Sequence, residues 1–416
     1  MLKKCNIDKF IDSVFYYNLF NKDDKNQILS YLKFLFLPIN KNKFSHMKIG
    51  ILKETQKGER RVSISPKIAK SLIDKGFEIL VEEEAGSSSS FKDSEYSEIG
   101  AKVEKRGVVF KESQILVKIN PFTNEDLKLV DKSHILISQL FHKSHPELMK
   151  AIAARGASAF SLDAMPRISR AQDMDVLSSQ SNLAGYKAVI LGAYEMTKIF
   201  PLMMTAAGTI TPSRVLIYGV GVAGLQAIAT AKRLGAVVEA TDIRLETKEQ
   251  AESLGAKFIS VDGEAEASEG GYAKVASEDY AQRQKEAVNN SLFKADLVIT
   301  TAMVPGRKSP VLITADQVKQ MKNGAVIIDL AAAQGGNCEL SKMNKTVLKH
   351  GVKIIGTTIA PESVSTNASD LFAKNMYNFI MHLTDNCEFK WDLEEEITDG
   401  TLIVHQGKIR KNGKTE

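Results

Sequence analysis

From Met47 onward, short apolar runs alternate with longer stretches in which apolar residues recur at helical spacing. KIGIL, FEILVEE, GAKVEK, ILVKI (115–119), HILISQL (134–140) and ASAFSLDA predict strands, since short runs rich in Ile, Leu and Val suit a buried sheet. Helices fall between them. The first is announced by Ser65-Pro66, a cap residue followed by proline at the first helical position, and runs through IAKSLIDK to Gly76. Strand–helix alternation of this kind predicts a parallel, doubly wound α/β sheet. A polar, irregular segment, PRISRAQDMD, then leads into a long helix that carries the chain into a second domain. That domain starts with MMTAAGTITPSRVLIYG and adds the strands of ADLVITTAMVPG, GAVIIDLAA and VKIIGT. Residues 365–383 predict a helix returning to the first domain, and the charged end of the chain predicts an arm. The expected organisation is 47–175 plus 365–416 for one domain and 176–364 for the other. Residues 261–284, dense in Glu, Asp, Gly and Ser, read as a long loop, and loops of this length are usually functional lids or disordered segments.

One stretch carries chemistry: SRVLIYGVGVAGLQAIATAKRLGAVVEATDIR, residues 213–244. The apolar run Val215–Tyr218 is followed by Gly219, Gly221 and Gly224 in the spacing G-x-G-x-x-G, then by a helix and a second strand closed by Asp242. Each part has a mechanical reason in a dinucleotide site. Gly219 permits a tight turn, Gly221 lets a pyrophosphate approach the backbone, and Gly224 lets helix and strand pack closely. The helix N-terminus turns free N–H groups and partial positive charge toward phosphate. Asp242 is placed to accept from an adenosine ribose hydroxyl and to repel a 2′-phosphate, which reads as NAD; Arg244 beside it could serve a 2′-phosphate instead. Thr301, Ala302, Met303 and the Asp329 loop, at strand carboxyl ends, should face the same crevice. The expected class is thus α/β, with two Rossmann-like, doubly wound parallel-sheet domains joined by long helices.

The 416 residues suffice for two such domains. A net charge of +5 is small for this length and gives no support to nucleic-acid binding. Cys5, Cys338 and Cys387 are too far apart for a disulfide framework or a C-x-x-C site, which suits a reducing cytosol. The seven histidines show no metal-ligand spacing, so no metal is expected. The longest apolar stretch, Ala188 to Ile210, is broken by Glu195, Lys198 and Pro201, so the chain is not expected to span a membrane. Residues 1–46 differ from the rest. FIDSVFYYNLF and YLKFLFLPI could form two short helices, but no small-residue cleavage site follows them. This segment reads as an appendage, or as an upstream extension with Met47 as the working start.

PRISRAQDMDVLSSQSNLAGYKAV, the glycine-rich stretch, GGYAK, TTAMVPGRKSPVLI and DLAAAQGGNC together resemble one family from Met47 to about Gly407. It is the soluble NAD(H)-binding domain of proton-translocating NAD(P) transhydrogenase, related to alanine dehydrogenase. The resemblance implies that Arg167 and Asp175 hold the cofactor and its carboxamide, with Ser178 following, and that Gln172 reaches toward a second nucleotide. It implies a cofactor-binding set of Arg167, Ile168, Ser169, Arg170, Gln172, Asp175, Ser178, Gly219, Gly221, Val222, Ala223, Gly224, Asp242, Ile243, Arg244, Gly271, Tyr272, Gln284, Thr301, Ala302 and Met303. Gly271, Tyr272 and Gln284 match a mobile loop that folds over NAD(H). Where that family often has Met four residues after the Tyr, Ala276 stands here.

The resemblance further implies direct hydride transfer from NADH to NADP⁺. NADP(H) would sit on a partner beta subunit, a membrane-spanning subunit would conduct protons, and this chain would be a homodimer on the inner face of the cytoplasmic membrane. Since the chain stops at Glu416, other polypeptides would supply the channel. Hydride transfer needs two rings in contact away from water, and no acid–base or nucleophilic group, which suits a chain with no such constellation. The main rival is alanine dehydrogenase. Arg61 and Lys118 match its substrate-binding Arg and Lys, but the position of its acid–base His is Phe141, with His142 next door on the opposite face of a strand. An NAD-sensing module is a third reading, against which Gln172 and Asp175 speak.

Overall fold

The structure is a computed structural model that describes residues 47–261, 278–303, 307–357, 361–411 and 414–415. The two short helices expected before Met47, and Gly271 and Tyr272, lie outside these. Six strands in chain order, β1 Lys48–Ile51, β2 Glu78–Glu82, β3 Lys102–Glu104, β4 Ile115–Val117, β5 Ile135–Ser138 and β6 Ser158–Ser161, pair in parallel in the order β6-β5-β4-β1-β2-β3. Their side chains alternate between two buried faces, as the period of two requires. Ile115 and Val117 point to one cluster with Ile49, Ile51 and Ile137, and Leu116 points to another with Leu80 and Leu136. The returning helix Ser365–Leu383 fills the first face with Phe372, Met376, Phe379 and Ile380.

The tail is not an arm. After a small hairpin, β7 Met203–Thr205 with β8 Gly208–Ile210, and a second sheet, the chain comes back to the first sheet. The second sheet runs β11-β10-β9-β12-β13-β15-β14, from β9 Arg214–Tyr218, β10 Val237–Thr241, β11 Lys257–Phe258, β12 Leu297–Thr300, β13 Val326–Asp329, β14 Lys345–Lys349 and β15 Val352–Gly356. Beyond the returning helix, β16 Thr384–Asp385 pairs with β17 Glu388–Phe389, and β18 Leu402–His405, β19 Lys408–Lys411 and β20 Lys414–Thr415 then extend the first sheet antiparallel from β6. Leu402, Ile403 and Val404 are buried there, so a short apolar run inside a charged stretch was enough to make an edge. β14 is likewise an antiparallel edge on an otherwise parallel sheet. Both departures from all-parallel pairing are at sheet edges, where mixed sheets commonly carry them.

The long helix Val176–Glu195 joins the sheets. A Cβ added at its Gly185 would stand 2.0 Å from the Ala223 carbonyl oxygen, and one at Gly192 would stand 2.6 Å from the Leu297 side chain. The helix therefore lies flush on helix Val222–Arg233 and on β12, which fixes whatever its N-terminus carries relative to the glycine-rich turn. Two further expectations are corrected. Glu278–Leu292, including Gln284, is a helix and not the end of a loop; its stripe of Ala287, Val288 and fully buried Leu292 packs on the sheet and outweighs its polar composition. The 203–210 segment is a hairpin outside both large sheets and is exposed throughout. The Ser65 hydroxyl makes no cap bond, although proline does open the helix that follows.

Candidate functional site

In the second sheet β9 has β10 on one side and β12 on the other, so successive connections leave in opposite directions and open a crevice at the strands' carboxyl ends. The glycine turn lies there, and its three glycines differ in what surrounds them. Gly219 has φ +92°, and a Cβ on it would meet Thr301 Oγ1 at 2.6 Å. A Cβ on Gly224 would meet the Gly219 carbonyl oxygen at 1.8 Å. A Cβ on Gly221, the residue that precedes helix Val222–Arg233, would meet nothing within 4 Å. Gly219 and Gly224 are thus required by the protein itself, whereas Gly221 faces open space at a helix N-terminus whose free N–H groups suit an anion.

Asp242, the residue that follows β10, reaches back to that loop. Its Oδ2 accepts from Val220 N at 2.7 Å and from Arg244 Nη2 at 3.0 Å. Its Oδ1 accepts from Arg244 N at 2.9 Å and Nε at 3.0 Å. Burial pushes this carboxyl up, but the Arg244 guanidinium and the two backbone N–H groups outweigh it and hold Asp242 below the usual carboxylate range. Ile243 between them is exposed.

The far wall is formed by the expected Thr301–Met303 segment and Asp329, held together by Asn337, which sequence reasoning missed. Thr301 Oγ1 donates to the carbonyls of Tyr218 and Gly219 at 3.2 and 3.1 Å. Asn337 clamps Ala302: Ala302 N donates to Asn337 Oδ1 at 3.0 Å, and Asn337 Nδ2 donates to the Ala302 and Pro310 carbonyls, both at 2.8 Å. Behind it the fully buried Asp329 carboxylate accepts from Thr300 Oγ1, Ala331 N, Asn337 N and Cys338 N at 2.9–3.1 Å. The Gly335-Gly336 pair, both at positive φ, was the available signal, since only a tight turn returns Asn337 to this carboxylate. Met303 is left exposed at the rim.

The polar loop is built to present side chains outward. Residues Ser169–Met174 form one 3₁₀ helix with Ala171 and Met174 buried beneath it. Asn375 and Asn378, three apart on the returning helix, both donate to the Asp173 carbonyl at 2.7 and 3.0 Å. With the loop pinned from below, Arg167, Ser169 and Gln172 are exposed, and the side chains of Arg167 and Gln172 form no hydrogen bond or ion pair among the described residues. Ile168 is half-buried against the first core. Asp175 caps helix Val176–Glu195, accepting from Ser178 N at 3.0 Å and Ser178 Oγ at 2.5 Å. Arg170 turns to the carboxylates of Glu395 and Glu396 at 3.1 and 3.7 Å. Gln284 does not reach the loop either; its Nε2 donates to the Ile259 carbonyl at 2.8 Å. Where helix Val176–Glu195 meets helices Val222–Arg233 and Ser365–Leu383, a cavity of about 410 Å³ opens beside Asn182, Tyr186, Gln226 and Asp370.

Arg61 and Lys118 belong to a different network. Arg61 donates from Nε and Nη2 to Glu59 at 2.8 and 2.6 Å and from Nη1 to Gln180 at 2.8 Å, with Glu362 3.6 Å away. Lys118 is buried and paired with Asp126 at 3.0 Å. Both cations are therefore neutralised by the protein. Position 141 is Phe at positive φ, and burial pushes the His142 imidazole below its ordinary range.

Comparison with known proteins places this geometry. The N-terminal domain model of alanine dehydrogenase/PNT matches residues 50–184 and the C-terminal domain model matches 188–412. The first part of NAD(P) transhydrogenase subunit alpha from Rhodospirillum rubrum is 50% identical over 374 residues, 87% of this chain and 97% of that protein. The crystal structure of transhydrogenase from Sinorhizobium meliloti, 38% identical, superposes with a TM-score of 0.81 over 87% of this chain and all of that one. Alanine dehydrogenase 2 of Staphylococcus aureus is 28% identical over 317 residues, 74% of this chain and 79% of that protein. With both domain models matched and half of its aligned residues shared with a transhydrogenase alpha subunit, the chain belongs to the alanine dehydrogenase/PNT family.

Proposed function

We propose that this chain is the NAD(H)-binding component of an NAD(P) transhydrogenase, passing hydride to NADP⁺ held by a partner subunit. The observation that carries this reading is the exposed pair Arg167 and Gln172, whose side chains have no partner among the described residues, on a pinned loop at the foot of a helix docked on the glycine turn. A cofactor bound only for its own sake would be better served by a closed pocket; side chains offered outward suit a ring that another protein must reach. The dinucleotide fits the residues present, because Gly221 leaves a cradle at a helix N-terminus that a Cβ would fill. When bound, NADH supplies a hydride at the nicotinamide C4. The chain's part is to bind and orient: Gly221 and the backbone N–H groups after it take the pyrophosphate, Asp242 the adenosine ribose, and Arg167, Gln172 and the Asp175–Ser178 pair the nicotinamide end. No proton has to move on this chain, so no acid–base residue is required. Gly271 and Tyr272 belong to the same cofactor-binding set on this reading.

The partners follow from that reading: a beta subunit carrying NADP(H), and a membrane-spanning subunit coupling the transfer to proton translocation on the inner face of the cytoplasmic membrane. None of the helices among the described residues is long and apolar enough to cross a membrane. A homodimer is supported by the 203–210 hairpin, which holds Met204 at 76% exposure beside exposed Leu202, Met203 and Ile210, an apolar surface that a second copy would cover. Oxidative deamination of alanine is disfavoured because Arg61 and Lys118 are already paired and no His stands at position 141.

Two outcomes test the site. Asp242→Ala should weaken NADH binding at least about tenfold and narrow the preference over NADPH, by loss of a charged hydrogen-bond acceptor; isothermal titration with both cofactors measures it, and an unchanged preference removes Asp242 from the ribose. The second is a pH profile. The native Asp242 carboxyl lies below its unperturbed range, so its ionised form persists above that depressed value and is lost only as pH falls through it. NADH affinity should therefore be flat from about pH 8 to about pH 5 and decline only in stronger acid. A decline between pH 7 and 6 would mean that a histidine governs binding.

A further inference from the structure

We infer that Arg244 competes with the cofactor for Asp242, so that NADH must displace its guanidinium and NADPH would capture it. The inference rests on the proposed NAD(H) site. A carboxylate has about four lone-pair positions, and Asp242 already fills four: Val220 N and Arg244 Nη2 on Oδ2, Arg244 N and Nε on Oδ1. The Asp242 side chain is 6% exposed. A ribose hydroxyl has no position left to donate to. Of the four donors, two are backbone N–H groups in the turns that follow β9 and β10, and these cannot leave without undoing those turns. The other two sit on one side chain that is 47% exposed and free to move into water. The guanidinium is therefore the part that exchanges.

The two cofactors meet this arrangement differently. For NADH the exchange replaces a charge-assisted pair by hydroxyl donors on the same oxygens, so Arg244 is a cost to binding. For NADPH the 2′-phosphate would arrive beside a carboxylate that repels it, and the displaced guanidinium, planar and bidentate, is the nearest group able to compensate. Asp242 thus creates the discrimination between the two and Arg244 blunts it. Arg244 is a specificity-determining residue that works against the specificity of its own site, which keeps the carboxylate neutralised until a ribose arrives.

The test is a titration of the full chain, wild type and variants, with NADH and NADPH, and with AMP and adenosine 2′-monophosphate as probes of the adenosine half alone. Arg244→Ala should tighten NADH and AMP about two- to fivefold, the range an exposed ion pair commands, and weaken NADPH and adenosine 2′-monophosphate about tenfold. Arg244→Lys should also tighten NADH while retaining more NADPH binding than Ala does. In an Asp242→Ala background, Arg244→Ala should no longer tighten NADH, because nothing remains to compete for. Weaker or unchanged NADH binding by Arg244→Ala overturns the competition, as does tightening that survives without Asp242. If Asp242→Ala alone leaves NADH affinity untouched, the ribose assignment has failed, and the competition with it.

Discussion

Gly224→Ala is expected to abolish measurable NADH binding and to cost the fold about 3 kcal/mol or more, the upper range for an overpacked methyl group. The added Cβ would lie 1.8 Å from the Gly219 carbonyl oxygen, a backbone atom that cannot swing aside. That oxygen is itself held by Thr301 Oγ1, and Gly219 N by the Thr241 carbonyl at 2.9 Å. Relief therefore means lifting helix Val222–Arg233 off β9, and helix Val176–Glu195 would follow because it rests on Ala223. Gly221→Ala is the matched control. Its Cβ has nothing within 4 Å, so unfolding free energy should change by less than about 1 kcal/mol, while NADH binding weakens by about tenfold or more through collision with the pyrophosphate. Denaturant unfolding and NADH titration on both variants separate the two. If Gly221→Ala binds NADH like the parent chain, the cradle is not where the phosphates sit.

Gln172→Ala should lower the rate of hydride transfer to a partner-bound NADP⁺ about a hundredfold while changing the NADH Kd less than about threefold. The reason is positional: Gln172 is exposed on the pinned 3₁₀ turn and its side chain contributes no hydrogen bond among the described residues, so its removal neither loosens the loop nor unfolds the chain. A misplacement of the rings of about 1 Å is enough to cost a rate of that order. Asp175 is a poorer probe, because its carboxylate also caps a helix, and its loss would add about 1 kcal/mol of destabilisation. Single-turnover transfer and equilibrium binding on Gln172→Ala make the comparison; an equal loss in both would mean that Gln172 holds NADH and does not orient it.

What was legible in the sequence was what depends on local order. The apolar runs became β1–β6, β9, β10, β12, β13 and β15, and G-x-G-x-x-G became a turn whose first and third glycines are enforced by contacts within a few residues of chain or on the next strand. Long-range partners were not legible. Apart from the Gly335-Gly336 turn, nothing near Asp329 in the chain says that its carboxylate will gather Thr300 as well as Asn337 and Cys338 behind the 301–303 loop, nor that Asn375 and Asn378 will meet the Asp173 carbonyl some two hundred residues away. The tail misled for a related reason: its many charged residues, one of them the buried Arg410 paired with Asp399, mask the short apolar run Leu402–Val404 that anchors it to the first sheet. In 278–292 a narrow apolar stripe was outvoted by polar neighbours, which concealed a helix. Arg170 and Gln284 entered the candidate site through family resemblance, and the structure gives both of them other partners.

The central claim is that a hydride leaves NADH on this chain and arrives on NADP⁺ elsewhere without passing through water or a protein group. It is tested most directly with NADH deuterated at both nicotinamide C4 positions, mixed with this chain and the NADP⁺-loaded partner subunit in ordinary water. Direct transfer predicts that each NADPH formed carries one deuteron, with no dilution by solvent protons. NADPH containing solvent hydrogen, or no NADPH while NADH is bound and both subunits are folded, would contradict it.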